Sequence, residues 1–189
     1  MTDDEIEGTL AFLDMAATLK DTLRTGHTAA GRRESTAEHT WRLCLMALVL
    51  GERLGVDTGR LIAICLVHDL AEALTGDIPA PDARGDKSAA ERAALATLTA
   101  TLPAATREAL GALWAEYETG ATREGRIAKG LDKLETIQQH AQGANPPGFD
   151  LAYNLRYGRA ATDADPLLAA LRTKLDARTQ ARLARDAAG

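Results

Sequence analysis

One apolar stretch of the chain carries an unusual concentration of ionisable side chains. The segment LVHDLAEALTGDIPAP, residues 66–81, contains His68, Asp69, Glu72 and Asp77 among leucine, valine and alanine. Helical spacing places His68 and Glu72 one turn apart on the apolar face of this segment, with Asp69 beside them. Because burial of an unpaired carboxylate is costly, inward-facing charges need a compensating cation or dense hydrogen bonding. A divalent metal ion would meet that need.

Two further candidate ligands lie elsewhere in the chain, since one helix cannot surround an ion. His39 shares an inward-facing helical stripe with Leu43, and Asp132 lies inside the periodic segment IAKGLDKLETIQQ. Taken alone, His39 is more typical of a hydrogen-bonded core histidine than of a ligand. Together with His68 and Asp69, however, these residues form a mixed nitrogen and oxygen set that suits a first-row divalent ion.

The elements that must position these side chains are predicted to be helices. The spacing of apolar residues predicts helices over about 4–23, 60–74, 87–101, 104–118, 122–142 and 165–185, and a further helix that begins at Ser35 and includes Leu50. Ser35 and Glu38 predict a capping box at the start of the second helix. Asp165, followed by Pro166, predicts the N-terminus of the last helix.

Polar segments rich in glycine and proline are expected to be loops. They are RTGHTAAGRR, residues 24–33, and GDIPAPDARGD, residues 76–86. Gly76, Pro79 and Pro81 are expected to end the third helix, and Asp82 is expected to be a solvated loop charge. Asp77 also fits ordinary turn chemistry after glycine, so its position alone leaves a structural role open.

Composition favours an all-α fold and excludes several functional classes. Valine and isoleucine together supply nine residues, while alanine and leucine dominate. A net charge of −5 argues against binding a nucleic-acid polymer. The acidic N-terminus and the lack of a long apolar run argue against a signal peptide or a membrane segment. The two cysteines do not form a disulfide framework, which favours the cytoplasm.

Three motifs carry a resemblance to a known family. The segments ESTAEHTW, VHDLAEALTGDIPAP and AKGLDKLE resemble the motifs of the HD-domain metal-dependent phosphohydrolases, and most closely their 5'-deoxynucleotidase group. The resemblance covers about residues 10–145. It implies an HD-domain helical bundle forming one domain over 1–189, in which about 10–145 is the core and about 146–189 is a C-terminal helical extension.

The resemblance also implies site residues, substrate and assembly. It makes His39, His68, Asp69 and Asp132 the metal ligands. Glu72 and Asp77 become the catalytic residues that handle water and protons, and they are also candidates for a second ion. The implied cofactor is a divalent cation (Co, Mn, Mg, Fe, Ni or Zn), the substrate is a deoxynucleoside 5'-monophosphate, and the protein is expected to be a homodimer.

A phosphate substrate requires cations near this acidic site. The candidates are Arg24, Arg32, Arg33 and Lys129. Relatives commonly have a tryptophan near the position of His27, and the first loop is shorter here, so sugar selectivity is open. The alternatives are a hydrolase of another phosphorylated metabolite, such as a ribonucleotide or an alarmone, and a non-catalytic metal-binding dimerisation module.

Overall fold

A computed structural model describes residues 1–78 and 87–187 of the chain, and it confirms the predicted all-α fold. Among these residues the only sheet is a hairpin of β1, Leu23–His27, and β2, Arg33–Ser35. The described residues also form 3-10 turns at Ala17–Lys20 and Leu151–Leu155. The helices are α1 Asp3–Ala16, α2 Thr36–Leu54, α3 Thr58–Val67, α4 Glu72–Thr75, α5 Lys87–Leu98, α6 Ala104–Thr119, α7 Arg123–Gln142, α8 Arg159–Thr162 and α9 Pro166–Asp186.

The predicted capping box at the start of α2 is confirmed. The hydroxyl of Ser35 accepts from the Glu38 backbone N–H, and the Glu38 carboxylate accepts from the Ser35 backbone N–H at 2.9 Å. This reciprocal pair fixes where the helix begins and therefore which residues face the core. His39 and Leu43 are both fully buried, as the helical stripe predicted.

The prediction of one continuous third helix over residues 60–74 was wrong in one respect: the helix is interrupted after Val67. From this point the backbone tightens: the N–H groups of Leu70 and Glu72 donate to carbonyls three residues back, at 3.1 and 3.0 Å. The imidazole Nδ1 of His68 also lies 2.7 Å from the carbonyl oxygen of Cys65. This ring contact and the tighter turns, which spacing alone does not signal, separate α3 from the short α4. Gly76 follows α4 as its C-cap, at φ 73°.

The predicted N-terminal helix is shorter than expected, and the predicted loop after it contains the hairpin. The reason is packing of β1 against α7: a Cβ atom on Gly26 would lie 3.1 Å from the side chain of Gln139. The Gln139 amide donates to the His27 carbonyl at 2.5 Å. These contacts join residues far apart in sequence. Pro79, Pro81 and Asp82 lie outside the described residues.

Helix α7 lies at the centre of the core and packs against α2, α3, α6 and α9. Leu131 and Leu134 on α7 are fully buried in a cluster that also includes Leu43, Leu61 and Leu168. A second cluster, around Leu98 and Trp114, joins the end of α3 to α5 and α6. The C-terminal helix α9 begins as predicted, since the Asp165 carboxylate accepts from the Leu167 backbone N–H at 2.8 Å. In the described part of the chain, no helix is both long and apolar enough to span a bilayer.

The capping boxes at the starts of α1 and α2 provide a matched test of helix α2. We expect Ser35→Ala to lower the free energy of unfolding by about 1 kcal/mol and the melting temperature by about 2–4 °C. Thr2→Ala removes the equivalent hydroxyl from α1, where no residue is fully buried. Because that exposed end can fray locally, Thr2→Ala should lower the free energy of unfolding by less than half as much as Ser35→Ala does. Thermal unfolding followed by circular dichroism would measure both, and equal losses would contradict the prediction.

Candidate metal centre and active-site cavity

Three parts of the chain bring the four predicted ligands to one place. His39 comes from α2, His68 and Asp69 from the tightened turn after α3, and Asp132 from α7. The Nε2 atom of His39 lies 3.2 Å from Asp132 Oδ1 and 3.8 Å from Asp69 Oδ2. The Nε2 atom of His68 lies 2.9 Å from the same Asp69 oxygen. The predicted ligand atoms are therefore neighbours, although their helices are distant in sequence.

The histidine rings are oriented so that both Nε2 atoms face this group. The Nδ1 of His68 faces the Cys65 carbonyl, which can only accept, so this nitrogen carries a proton. The Nδ1 of His39 forms a hydrogen bond with the Glu135 carboxylate. Both Nε2 atoms are buried and form no well-aligned hydrogen bond among the described residues. His39, His68 and Asp69 bring three possible ligand atoms within 4.8 Å of one another, and Asp132 Oδ1 lies next to His39 Nε2. This set of nitrogen and oxygen atoms fits a divalent metal ion.

The electrostatics of the site favour a positive charge at this point. Burial and Arg24 oppose protonation of His39, but Glu135 and Asp132 outweigh them and raise the pKa of His39 to about 10. Burial would also raise the pKa of Asp132, yet Lys133 and His39 hold that pKa well below its usual range. The carboxylates therefore stay ionised and attract a cation, whether a proton or a metal ion.

Glu135 and Arg42 support His39 from behind, and neither was predicted. Glu135 is fully buried, and its Oε1 atom accepts from Arg42 Nε at 2.6 Å. The inward-facing spacing that identified Glu72 could also have identified Glu135, which lies one turn after Asp132. What periodicity could not supply is its partner on α2, because that pairing depends on how the helices pack.

A cavity of about 590 Å³ opens beside this centre. Glu72 and Asp77 both line it, and Glu72 accepts a hydrogen bond from the Thr36 hydroxyl at 3.1 Å. Burial raises the pKa of Glu72 to about 9, and the charges of Asp69 and Asp77 act in the same direction. Glu72 is therefore mainly protonated at neutral pH, so it can donate a proton as well as accept one.

The structure separates the four predicted phosphate-binding residues into two pairs. Arg24 and Lys129 line the cavity. Arg32 instead pairs with Glu38 at the surface, and Arg33 donates to the backbone carbonyl of Arg24 at 2.7 Å. Neither of these two lines the cavity. Cavity-lining cations that were not predicted are Lys87, Lys133 and Arg156.

Lys133 donates to Asp132 Oδ2 at 2.7 Å. Of the predicted phosphate-binding cations, Arg24 is the one that contacts a predicted ligand. Its Nη1 atom lies 3.5 Å from Asp69 Oδ2, and its Nη2 atom donates to the Thr136 hydroxyl at 3.2 Å. Burial alone would lower the pKa of Arg24, but Asp69 and Asp77 hold that pKa above its ordinary value. Its charge is thus fixed at the inner end of the cavity.

The aromatic residues of the cavity lining come from α6 and from the segment after α7, and not from the first loop. His27 does not line it, and its ring instead approaches Phe149 edge-on, with centroids 6.5 Å apart. Tyr117 is buried and also lines the cavity, and its hydroxyl donates to Asp132 Oδ2 at 2.7 Å. The remaining aromatic residues of the lining, Phe149, Tyr153 and Tyr157, follow α7 in the chain.

Comparison with known proteins gives consistent matches across most of the chain. A family model described as the HD domain matches residues 16–172. The 5'-deoxynucleotidase HDDC2 of Mus musculus is 37% identical over 140 residues, covering 71% of this chain and 69% of that protein. The structure of a predicted metal-dependent phosphohydrolase from Magnetospirillum magnetotacticum MS-1 gives a TM-score of 0.82 at 28% identity and covers 95% of both chains.

A more distant structure shares the fold. The HD phosphohydrolase DatZ of cyanophage S-2L, bound to dA and one catalytic Zn²⁺ ion, gives a TM-score of 0.57 at 20% identity. The match covers 91% of this chain and 96% of DatZ. The family-model match, residues 16–172, includes His39, His68, Asp69 and Asp132.

The hydrogen bond from His39 to Glu135 predicts that Glu135 contributes to metal affinity. A control variant that removes a nearby carboxylate without this hydrogen bond can distinguish the contribution from a general loss of negative charge. We expect Glu135→Gln to weaken binding of Co²⁺ or Zn²⁺ by roughly 10- to 100-fold, because the neutral amide orients His39 less well. Isothermal titration of chelator-stripped protein would measure this.

Glu34→Gln is the matched control for that measurement. Glu34 is buried in the same ionic cluster but makes no hydrogen bond to His39. Burial, followed by the charge of Glu135, raises the pKa of Glu34 to about 7, so a neutral side chain should change affinity much less. Equal losses in the two variants, or an unchanged affinity in Glu135→Gln, would contradict the orienting role.

Proposed function

Since the chain belongs to the HD-domain family, we propose that it is a metal-dependent phosphohydrolase that removes the 5'-phosphate from deoxynucleoside 5'-monophosphates. The observation that carries this proposal is the convergence of two buried imidazole Nε2 atoms and two carboxylates at the inner end of a 590 Å³ cavity. The curated relatives named 5'-deoxynucleotidase support the substrate class. A cavity of this volume lies within the usual range for small-molecule sites.

In this proposal His39, His68, Asp69 and Asp132 hold one divalent ion. When bound, such an ion polarises a phosphoryl oxygen and lowers the pKa of water towards neutrality. The mixed donor set accepts Co, Mn, Mg, Fe, Ni or Zn, and the order of affinities does not decide which ion the cell supplies. The pair Glu72 and Asp77 is a candidate position for a second ion as well as for proton transfer.

We assign one proton transfer to each of the two acidic residues on the cavity wall, Asp77 and Glu72. Asp77 is half-buried and is proposed to accept a proton from the attacking water. Glu72, held by the Thr36 hydroxyl, is proposed to donate a proton to the departing 5'-oxygen. This assignment balances the reaction, since the attacking water loses a proton and the released deoxynucleoside gains one.

Arg24 is proposed to receive the phosphate. Its guanidinium reaches Asp69 and Thr136 and can present remaining donors to phosphate oxygens. Lys129 is a second candidate, with its ammonium 4.8 Å from the centroid of the Tyr117 ring. Positive side chains are needed here because Asp69, Asp77 and Asp132 would otherwise repel a phosphate dianion.

A cytoplasmic homodimer is the proposed form of the protein. Helix α2 presents an apolar stripe on its outer face, and its side chains are exposed by 43 to 67%: Trp41, Leu45, Leu48 and Val49. An apolar stripe at helical spacing suits a surface covered by a second copy of the chain. The free thiols of Cys44 and Cys65 are consistent with a reducing compartment.

Metal content and turnover should separate the ligands from the acidic residues on the wall. We expect His68→Ala to lose both bound metal and activity, because it removes one of the two facing imidazoles. Asp77→Ala should keep near wild-type metal content and lose at least about 100-fold in kcat. Elemental analysis after dialysis, followed by phosphate release from dAMP, would measure both effects. A fully active, metal-free His68→Ala protein would refute the proposed centre.

A substrate panel tests the substrate class directly. With cobalt, manganese and magnesium assayed in parallel, we expect hydrolysis of dAMP to exceed that of AMP by about tenfold or more. A site fitted to deoxyribose accommodates an added hydroxyl poorly, which gives discrimination of up to about 100-fold. Equal rates on dAMP and AMP would remove the deoxy selectivity, and activity confined to non-nucleotide phosphates would favour the other-metabolite alternative.

A further inference from the structure

One wall of the cavity is aromatic and lies outside the three motifs of the sequence. Phe149, Tyr153 and Tyr157 all line the cavity and are half-buried. The rings of Tyr153 and Tyr157 are tilted against each other, with centroids 5.2 Å apart. Phe149 packs edge-on against His140, which also lines the cavity, at 4.9 Å. These rings therefore present apolar surface to the cavity.

The aromatic wall is held in place by a buried arginine on α9. Arg172 is 1% exposed, and its guanidinium donates to the backbone carbonyls of Asn154 and Tyr157 at 2.7 and 2.6 Å. Asp176 neutralises the same guanidinium at 2.7 Å. Asn154 is fully buried and links the wall to α7 through the ring of His140 at 2.9 Å. A buried charge used in this way fixes the backbone from which the rings project.

The order of contacts along the wall matches the order of groups in a nucleotide. Lys133 donates to Asp132 at 2.7 Å and also lies over the Tyr157 ring, at 5.4 Å from its centroid. Tyr157 contacts Tyr153, and Tyr153 in turn lies under the exposed side chain of Arg156, so the contacts run from a metal ligand to the protein surface. Phosphate, sugar and base follow one another in the same order when the phosphate is at the metal end.

The ring of Tyr153 already carries a planar group on one face. The guanidinium of Arg156 lies over Tyr153 at 5.0 Å from the ring centroid. Arg156 is exposed, and its ion pair with Asp150 is a surface pair with 67% and 63% of the two side chains exposed. Such a pair contributes little, so the arginine can move aside or stack on the far side of a bound ring.

We propose that the wall formed by Phe149, Tyr153 and Tyr157 is the nucleobase subsite, with the base stacked at Tyr153 and the sugar next to Tyr157. The inference rests on the proposed function, because it takes the phosphate to lie at the metal ligands. Aromatic faces bind bases through stacking. The C-terminal extension thereby contributes directly to substrate binding, in addition to its packing on α7.

The test compares Tyr153→Ala with Tyr153→Phe on substrates with and without a base. We expect Tyr153→Ala to raise KM for dAMP by about tenfold or more with little change in kcat, since stacking on a remote group is uniform binding. Its kcat/KM for 2-deoxyribose 5-phosphate, which has no base, should stay within about twofold of wild type. Tyr153→Phe keeps the ring face and should behave as wild type on both.

Titration of deoxyadenosine by calorimetry provides a readout that is independent of turnover. Tyr153→Ala should bind this nucleoside at least tenfold more weakly than Tyr153→Phe. Unchanged KM for dAMP and unchanged nucleoside affinity in Tyr153→Ala would overturn the subsite, as would an equal loss on the base-free substrate. Wild-type protein that binds deoxyadenosine through Tyr153 but does not hydrolyse dAMP would support the subsite and refute only the proposed activity.

Discussion

The structure depends on one electrostatic constraint: atoms with lone pairs from three helical segments converge on a single buried point. His39 Nε2, His68 Nε2 and a carboxylate oxygen of Asp69 all lie within 4.8 Å of one another, and Asp132 Oδ1 lies 3.2 Å from His39. Such groups repel unless a positive charge is present among them. The site therefore fits a cation, and the surrounding helices fix the positions of these atoms.

The surrounding polar groups restrict which atoms face the centre. Tyr117 and Lys133 both occupy Oδ2 of Asp132, at 2.7 Å each, which leaves Oδ1 turned towards His39. Glu135 and the Cys65 carbonyl occupy the Nδ1 atoms of the two histidines and leave both Nε2 atoms free. Each buried charge in this arrangement has a partner on another helix. Loss of one partner should therefore disturb the site more than its distance from the centre suggests.

The sequence predicts the parts of this arrangement that depend on local periodicity. The inward position of His39 and the start of α2 follow from helical spacing and the capping box, and both are confirmed. The tightened turn at His68 and the hairpin around Gly26 were missed. The turn is held by the contact of the His68 ring with the Cys65 carbonyl, and the hairpin by long-range packing, and neither follows from periodicity. The positions of Arg32 and Arg33 could not be predicted either, since a charged residue in a loop has several nearby partners.

The two ends of the cavity are built by different kinds of contact, and this difference has a consequence for specificity. The inner end is made from charged groups whose chemistry allows few substitutions, because each must remain a donor or an acceptor of a particular kind. The outer wall is made from rings supported by Arg172, and ring surfaces tolerate changes of size and shape. With the base subsite proposed above, substitutions in the segment 149–157 would alter which substrate is bound while the four proposed ligands at the inner end stay in place.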